Sequence, residues 1–268
     1  MRTITVIGSV NMDLVADGER LPREGETVLG GRFRVVPGGK GANQAVAAAA
    51  MGASVRFAGC VGRDDYGRQA RENLVRRGLD VRHLRTVRDH TGIALIMIDR
   101  RGRNLISVAP GANNHVAFNR PCDIAVTQLE TPWHRPRAKF LILNPAPAGK
   151  VSMKGVDVVI PNEIEAEQLT GHRGPEEAVR ILKRRGAGHV IITLGEDGVY
   201  DGRRHRAFRV RAVDTVGAGD TFVGAFAAAV AMSYAEPVRF AQAAAALKCT
   251  RPGAQNVPSR REVEAFLR

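Results

Sequence analysis

The chain has 268 residues, 44% of them hydrophobic and 25% charged. That suits one large domain with a sizeable core, and the balance is ordinary for a soluble globular protein. No apolar run approaches the roughly 20 residues of a membrane span, and the chain opens directly on a strand-like ITVIG, so neither a membrane span nor a signal or transit peptide is expected. The formal net charge is +13, and arginine supplies most of the 40 basic residues. These arginines are spread along the chain, as in Arg76-Arg77, Arg100-Arg101, Arg184-Arg185 and Arg260-Arg261. With no basic tail and little aromatic interleaving, the charge reads as a solvated surface and not as a nucleic-acid footprint. Cys60, Cys122 and Cys249 are odd in number and lack metal spacing, so they read as free thiols of a reducing cytosol.

In chain order, Thr3–Gly8 is β-branched, apolar and stopped by glycine, a buried-type strand. Asn11 and Asp13 follow directly, where the C-terminal edge of a strand would set them over a cleft. Thr27–Val36 reads as a strand with alternating arginine. It runs into PGGKGANQ (Pro37–Gln44) and a small-residue helix stopped by Gly52. Gly38, Gly39 and Gly41 mark close backbone approach, with Lys40 and Asn43 as the polar groups; the GxxxxGK spacing of a P-loop is absent.

Val55–Cys60 is a strand and Tyr66–Arg77 a helix. Gly92–Ile98 and Asn104–Val108 form a hairpin around Arg100–Arg103. Ile124–Thr127 leads into Glu130, Phe140–Leu143 into NPAPA, and Val156–Ile160 into PNEIEAE. The helix Glu176–Arg185, the strand Val190–Thr193, the turn Gly195–Gly198 and a ribbon-like stretch to Arg211 come next. Helices Val238–Lys248 and Ser259–Leu267, the latter N-capped by Ser259, close the chain. Strands alternating with helices imply an α/β fold with a mainly parallel sheet and right-handed crossovers. Polar residues after four strands place a cleft along the strand C-terminal edge.

The stretch VDTVGAGDTF (Val213–Phe222) carries the chemistry. Gly217, Ala218 and Gly219 have almost no side chain, so the backbone can approach a ligand closely. They lead into an apolar helix, Thr221–Met232, whose free N–H groups and dipole suit a phosphate. Asp220 would repel an anion there unless it takes a proton from an attacking hydroxyl. Read alone, it is equally an ordinary N-cap.

GGKGANQAVAAAAMG, PNEIEAEQLTG, ITLGEDGV and VDTVGAGDTFVGAF, in that order, resemble the signatures of the ribokinase (PfkB-type) carbohydrate kinases. Asn11-Met12-Asp13, QLE at Glu130, NPAPA at Asn144–Ala148 and TRPGAQ at Thr250–Gln255 extend the resemblance over essentially the whole chain. It implies a single ribokinase-like α/β domain over residues 1–268. The implied reaction is ATP-dependent phosphorylation of ribose to ribose 5-phosphate. Another sugar or a nucleoside is the nearer alternative, and a non-catalytic sugar- or nucleic-acid-binding regulator the more distant one.

The resemblance also implies roles. Asn11, Asp13, Gly39, Lys40, Asn43 and Glu130 match sugar-binding positions. Asp220 matches the catalytic base, and Gly217–Asp220 with Ala218 and Gly219 the anion hole. Asn162, Thr193, Gly195, Gly198, Gly219 and Gln242 match nucleotide contacts. Glu165, with Asn162, matches the pair that organises Mg²⁺ through water. Asp214, Val216, Lys248, Arg251 and Gly253 match a loop that binds K⁺ largely through backbone carbonyls, with the Lys248 ammonium pointing away. A β lid over about 10–36 and 91–108 would close over the sugar and pair two subunits.

Three stretches depart from the family pattern. Residues 114–124, 131–139 and 144–157 are too short or too proline-rich for helices. One face is therefore expected to expose sheet or to be covered by dimer contacts. The stretch after Gln255 is one residue shorter than the pattern, which touches the implied K⁺ loop.

Overall fold

The computed structural model describes residues 2–268. The first half comprises β1 (Ile4–Ile7), β2 (Asn11–Asp17), β3 (Arg32–Gly38), α1 (Lys40–Ala50), β4 (Val55–Gly62), α2 (Asp65–Arg76), β5 (Asp80–Val87), β6 (Gly92–Ile98), β7 (Asn104–Ala109) and β8 (Cys122–Thr127). The second comprises β9 (Ala138–Leu143), β10 (Val156–Val159), α3 (Glu163–Thr170), α4 (Pro175–Arg184), β11 (Ala187–Val190), β12 (Ile192–Thr193), β13 (Val199–Tyr200), β14 (Arg204–His205), α5 (Ala218–Ala231), α6 (Pro237–Cys249) and α7 (Arg260–Phe266).

Seven strands form one parallel sheet in the order β11-β10-β9-β8-β1-β4-β5. The central strands are buried on both faces, which explains their continuous apolar runs. Ile4, Val6, Phe57, Ile124 and Ile142 face a core shared with α1, α2, α5 and α6. Ile7, Ala58, Cys60, Ala125, Leu141 and Leu143 face the opposite core, which includes Ala166 of α3 and Val179 and Leu182 of α4. Among the described residues, no helix is long and apolar enough to cross a membrane.

Helices α1 and α5 pack with unusually small separation. A Cβ on Gly224 would lie 2.3 Å from the Gln44 carbonyl oxygen and 2.7 Å from the Ala47 Cβ. Glycine inside a helix costs about 0.5–1 kcal/mol relative to alanine, and this contact is what requires it. The approach brings the first turns of both helices to the C-terminal edge of β1. There a Cβ on Gly41 would lie 2.6 Å from the Ser9 amide nitrogen.

A separate four-stranded sheet, β3-β2-β6-β7, rises from this edge. It is built from about the stretches 10–36 and 91–108, and its second strand starts at Arg32 and not at Thr27 as expected. Asp64 ties the residue before β6 to α2: it N-caps α2 through the Gly67 N–H at 2.7 Å and accepts the Thr91 N–H at 2.7 Å and its hydroxyl at 2.6 Å.

Two further expectations are corrected. Val190–Thr193 is not one strand: β11 belongs to the main sheet, and β12 pairs with β13 and β14 in a three-stranded ribbon. The links β8–β9 and β9–β10 do lack helices. The sheet beneath them is nevertheless not exposed, because Val116, Phe118, Leu129, Trp133, Val151 and Met153 fold back over it from loops. Ser259 caps α7 as expected, in a reciprocal capping box with Glu262.

Candidate active site

The turn before α5 is built to receive an anion. Gly217 is its N-cap with φ of 78°, a left-handed conformation that favours glycine. A Cβ there would lie 2.8–2.9 Å from Ala254, so the turn rests directly on the loop before α7. The Ala218 N–H returns to the Thr215 carbonyl and the Thr221 N–H to Gly217. The N–H groups of Gly219 and Asp220 have no backbone acceptor among the described residues. Gly219 has open space where a side chain would be. Two free donors at the positive end of a 14-residue helix are the expected cradle for a phosphoryl group.

Asp220 is aimed by two amides from α1. Asn43 Nδ2 donates to one carboxylate oxygen at 3.0 Å, and Gln44 Nε2 to the other at 3.0 Å. Each amide is held from behind. Asn43 Oδ1 accepts from Gln255 Nε2 at 3.0 Å, and Gln255 Oε1 accepts from Asn73 Nδ2 at 2.7 Å. Gln44 Oε1 accepts from Gln128 Nε2 at 2.6 Å, and Gln44 Nε2 also donates to Asn144 Oδ1 at 3.0 Å. Gln44, Gln128 and Gln255 are buried, so these bonds are not exchanged freely with water.

The sugar-type residues gather on the other side of Asp220. Glu130 Oε2 accepts the Lys40 N–H at 3.0 Å, at the N-terminus of α1, and the Ser9 hydroxyl. Asn11 is buried, with Oδ1 accepting from Asn113 Nδ2 at 2.7 Å. Gly39 must be glycine: its φ is 89° and a Cβ would lie 2.8 Å from the Asn11 nitrogen. The Asp13 carboxylate lies on β2 with no hydrogen-bond donor among the described residues, and a Cβ on Gly38 would collide with both its oxygens at 2.3 Å. Burial first, then the charges of Glu130 and Asp220, push its carboxyl up to about 7. Lys40 stands among these acids. Burial pulls its ammonium down, but Asp220, Glu130 and Glu165 outweigh that and leave it raised.

Beyond Asp220 lies a cavity of about 200 Å³ lined by Lys40, Asn144, Asn162, Glu165, Thr193, Gly217 and Gly219, among others. Asn162 N-caps α3, accepting the Glu165 N–H at 2.7 Å while Glu165 Oε2 accepts the Asn162 N–H at 2.8 Å. The second Glu165 oxygen has no hydrogen-bond donor among the described residues. Burial, helped by the Asp220 charge, raises the Glu165 carboxyl; the Asn162 N–H and Lys40 act in the other direction. Gly195 and Gly198 bound the short turn after β12, and Gly198 is required because a Cβ would meet the His205 carbonyl at 2.0 Å. Gln242 does not line the cavity. It is 5% exposed, and its Nε2 reaches the His205 carbonyl at 3.3 Å.

The K⁺ loop is where sequence and structure part. Lys248 is fully buried, and its ammonium does not point away. Nζ donates to the Asp214 carbonyl at 2.9 Å and to the Arg251 carbonyl at 3.1 Å. The Lys248 carbonyl accepts the Arg251 N–H at 3.0 Å, and the Gly253 carbonyl accepts the Asn256 N–H at 3.1 Å. The N–H groups of Val216 and Gly253 donate to the Asp214 carboxylate at 2.9 and 2.7 Å. The carbonyls of Asp214 and Arg251 are thus engaged by an internal ammonium and those of Lys248 and Gly253 by turns, and K⁺ does not fit this loop as it stands.

A profile of the family described as "pfkB family carbohydrate kinase" matches residues 1–128 and 134–261. The chain belongs to the pfkB family of carbohydrate kinases. Among its pfkB-type relatives, it is 38% identical to a ribokinase of Haemophilus influenzae, covering 99% of this chain and 98% of that one. It is 39% identical to a ribokinase of Bacillus subtilis over the full length of both, and 35% identical to a deoxyribokinase of Salmonella typhi over 84% of each. The alignment with the Haemophilus protein runs to 301 positions, more than the 268 residues here, so that relative carries stretches this chain lacks. The crystal structure of a Thermotoga maritima ribokinase superposes with a TM-score of 0.89 at 35% identity, covering 100% of this chain and 99% of that one. An Arabidopsis thaliana ribokinase complexed with ribose and ATP superposes at 0.85 with 29% identity, covering 100% and 99%.

Proposed function

We infer that the protein transfers the γ-phosphoryl group of ATP to the 5-hydroxyl of D-ribose. The observation that carries this reading is the place of Asp220. Its two oxygens are held by Asn43 and Gln44, and it stands between the carboxylates of Asp13 and Glu130 and a cavity closed by the free N–H groups of Gly219 and Asp220. Asn11, Asp13 and Glu130 offer amide and carboxylate groups to sugar hydroxyls, and the absence of stacked aromatic residues among them favours a free sugar over a nucleoside.

Asp220 accepts the hydroxyl proton as the sugar oxygen bonds to the γ-phosphorus. The bond from that phosphorus to the β–γ bridging oxygen breaks, and ADP leaves with the electron pair. A carboxylate suffices as base because phosphoryl transfer depends chiefly on positioning and charge stabilisation. The Gly219 and Asp220 N–H groups and the Lys40 ammonium face the charge that develops on the transferred group. Asn162, Thr193, Gly195 and Gly198 hold the nucleotide along the strand edge, while Gln242 supports the ribbon behind them.

Mg²⁺ fits the residues present. Glu165 turns an unpartnered oxygen into the cavity, a hard ligand suited to a metal-bound water. Mg²⁺ is a metal held mainly by phosphates and water, with few direct protein ligands. When bound, Mg²⁺ would neutralise phosphate charge.

The four-stranded sheet acts as the lid in this reading and pairs two copies. Phe33, Met97 and Leu105, all exposed, form with Ala16 one cross-strand row on a single face, and exposed Leu95 continues it beside Leu14. The arginines are surface charge, many already paired, as in Arg34–Asp17 and Arg180–Glu177. A coupled ADP-release assay over ribose, deoxyribose, fructose and adenosine tests the assignment. Ribose should give the highest kcat/KM, and activity on none of the four would end the kinase reading.

A further inference from the structure

Lys248 is a charged side chain of zero solvent exposure whose two hydrogen-bond partners are backbone carbonyls. A buried ammonium is unfavourable unless its environment compensates, so its placement calls for a reason. It sits in the last turn of α6, at the negative end of that helix. From there it ties two loops together. One runs from Asp214 into the Gly217 turn; the other runs from Arg251 to Ala254, on which Gly217 rests. The Asp214 carboxylate joins the same two loops from its other side, through the N–H groups of Val216 and Gly253. Carbonyls of both loops thus meet a cation and N–H groups of both meet an anion, and the turn that presents Gly219 and Asp220 is fixed between them.

We propose that the Lys248 ammonium is a built-in monovalent cation that positions the phosphoryl-transfer turn, so that this protein needs no added K⁺. The inference rests on the phosphoryl-transfer reading of Asp220. Lys248 touches neither reactant; it acts through the Asp214–Gly217 backbone, and so sharpens the aim of donors already present. An alkali cation would use the same carbonyl ligands and would have to displace Nζ to reach them. Burial pulls the Lys248 ammonium below the usual lysine range, and the Asp214 carboxylate, which favours the charged form, offsets only part of that.

The test compares the full-length protein and Lys248→Ala, each in KCl, NH₄Cl or choline chloride at equal ionic strength. Wild-type turnover should agree within about twofold across the three salts. In choline, Lys248→Ala should lose about tenfold or more in kcat with little change in the ribose KM, as expected for lost preorganisation. Ammonium or potassium should restore much of that loss by entering the vacated space. A second readout needs no turnover: the melting temperature of Lys248→Ala should rise in potassium or ammonium relative to choline, and that of the wild type should not. Wild-type activation by potassium would overturn the proposal, as would full turnover of Lys248→Ala in choline or a loss confined to KM. Should Lys248→Ala fail to fold, the wild-type salt comparison still decides. Should no sugar be phosphorylated, the melting comparison still tests Lys248 while the kinase reading falls on its own.

Discussion

Gln44 Nε2 donates to Asp220 Oδ1 at 3.0 Å across the α1–α5 interface, at the point where Gly224 lets the two helices touch. The same nitrogen reaches Asn144 Oδ1, so Asp220 is linked to a second point on the wall of the cavity as well as to α1. Gln44 is not among the residues that line the cavity and acts through Asp220, as a positioning residue. Gln44→Met keeps the volume and removes the donor, and should lower kcat by about tenfold while leaving the ribose KM within a small factor. Gln44→Glu would set a carboxylate against Asp220 and should be worse than Gln44→Met. Steady-state kinetics of both variants check the order.

Asp13 gives a pH signature. Its carboxyl is held near 7 by burial and by the charges of Glu130 and Asp220, so it is largely neutral below that pH and ionised above it. The ionised form accepts two hydroxyl hydrogen bonds, so the ribose KM should fall as pH rises from about 6 to about 8. Stability runs the opposite way. An acid whose folded pKa is raised binds its proton more tightly folded than unfolded, so the fold loses stability as pH climbs from the usual carboxylate range to about 7. The melting temperature of the sugar-free protein should decline across that window. Asp13→Asn should flatten both profiles and weaken ribose binding; unchanged profiles in the variant would assign the titration elsewhere.

The apolar face of the β3-β2-β6-β7 sheet predicts assembly. Met97→Glu together with Leu95→Glu puts two charges into the row formed with Phe33 and Leu105. Sedimentation should show a dimer for the wild type and a monomer for the double variant. A wild-type monomer at assay concentration would remove dimerisation from the reading.

Much of this was legible in the residues. The glycine turns at Gly38–Gly41 and Gly217–Gly219 announce close backbone approach, since a Cβ on Gly38, Gly39, Gly41 or Gly217 would collide with its neighbours, and their order along the chain points to the family. The helix-free links were readable from length and proline content. What covers the sheet beneath them was not, because Trp133 and Met153 pack through loops that have no period. β5, DVRHLRTV, has no sequence signal because it is an edge strand whose Asp80, Arg82 and Arg85 break up its apolar residues. Gln44, Gln128, Gln255, Asn113 and Asn144 carry no sequence signal for their roles, since a buried amide relay depends on which side chains converge from distant segments. Lys248 was assigned by its carbonyl, and only the fold shows that its ammonium turns inward to do the binding.

The most direct measurement is turnover of Asp220→Asn beside calorimetric binding of ribose and ATP to the same variant. Asparagine keeps the size but cannot take the proton, and its amide faces the donors of Asn43 and Gln44. kcat should fall by about 10²–10⁴-fold, as for a lost general base. Both dissociation constants should stay close to those of the wild type. Turnover near the wild-type rate would contradict the central claim that Asp220 is the base of this site.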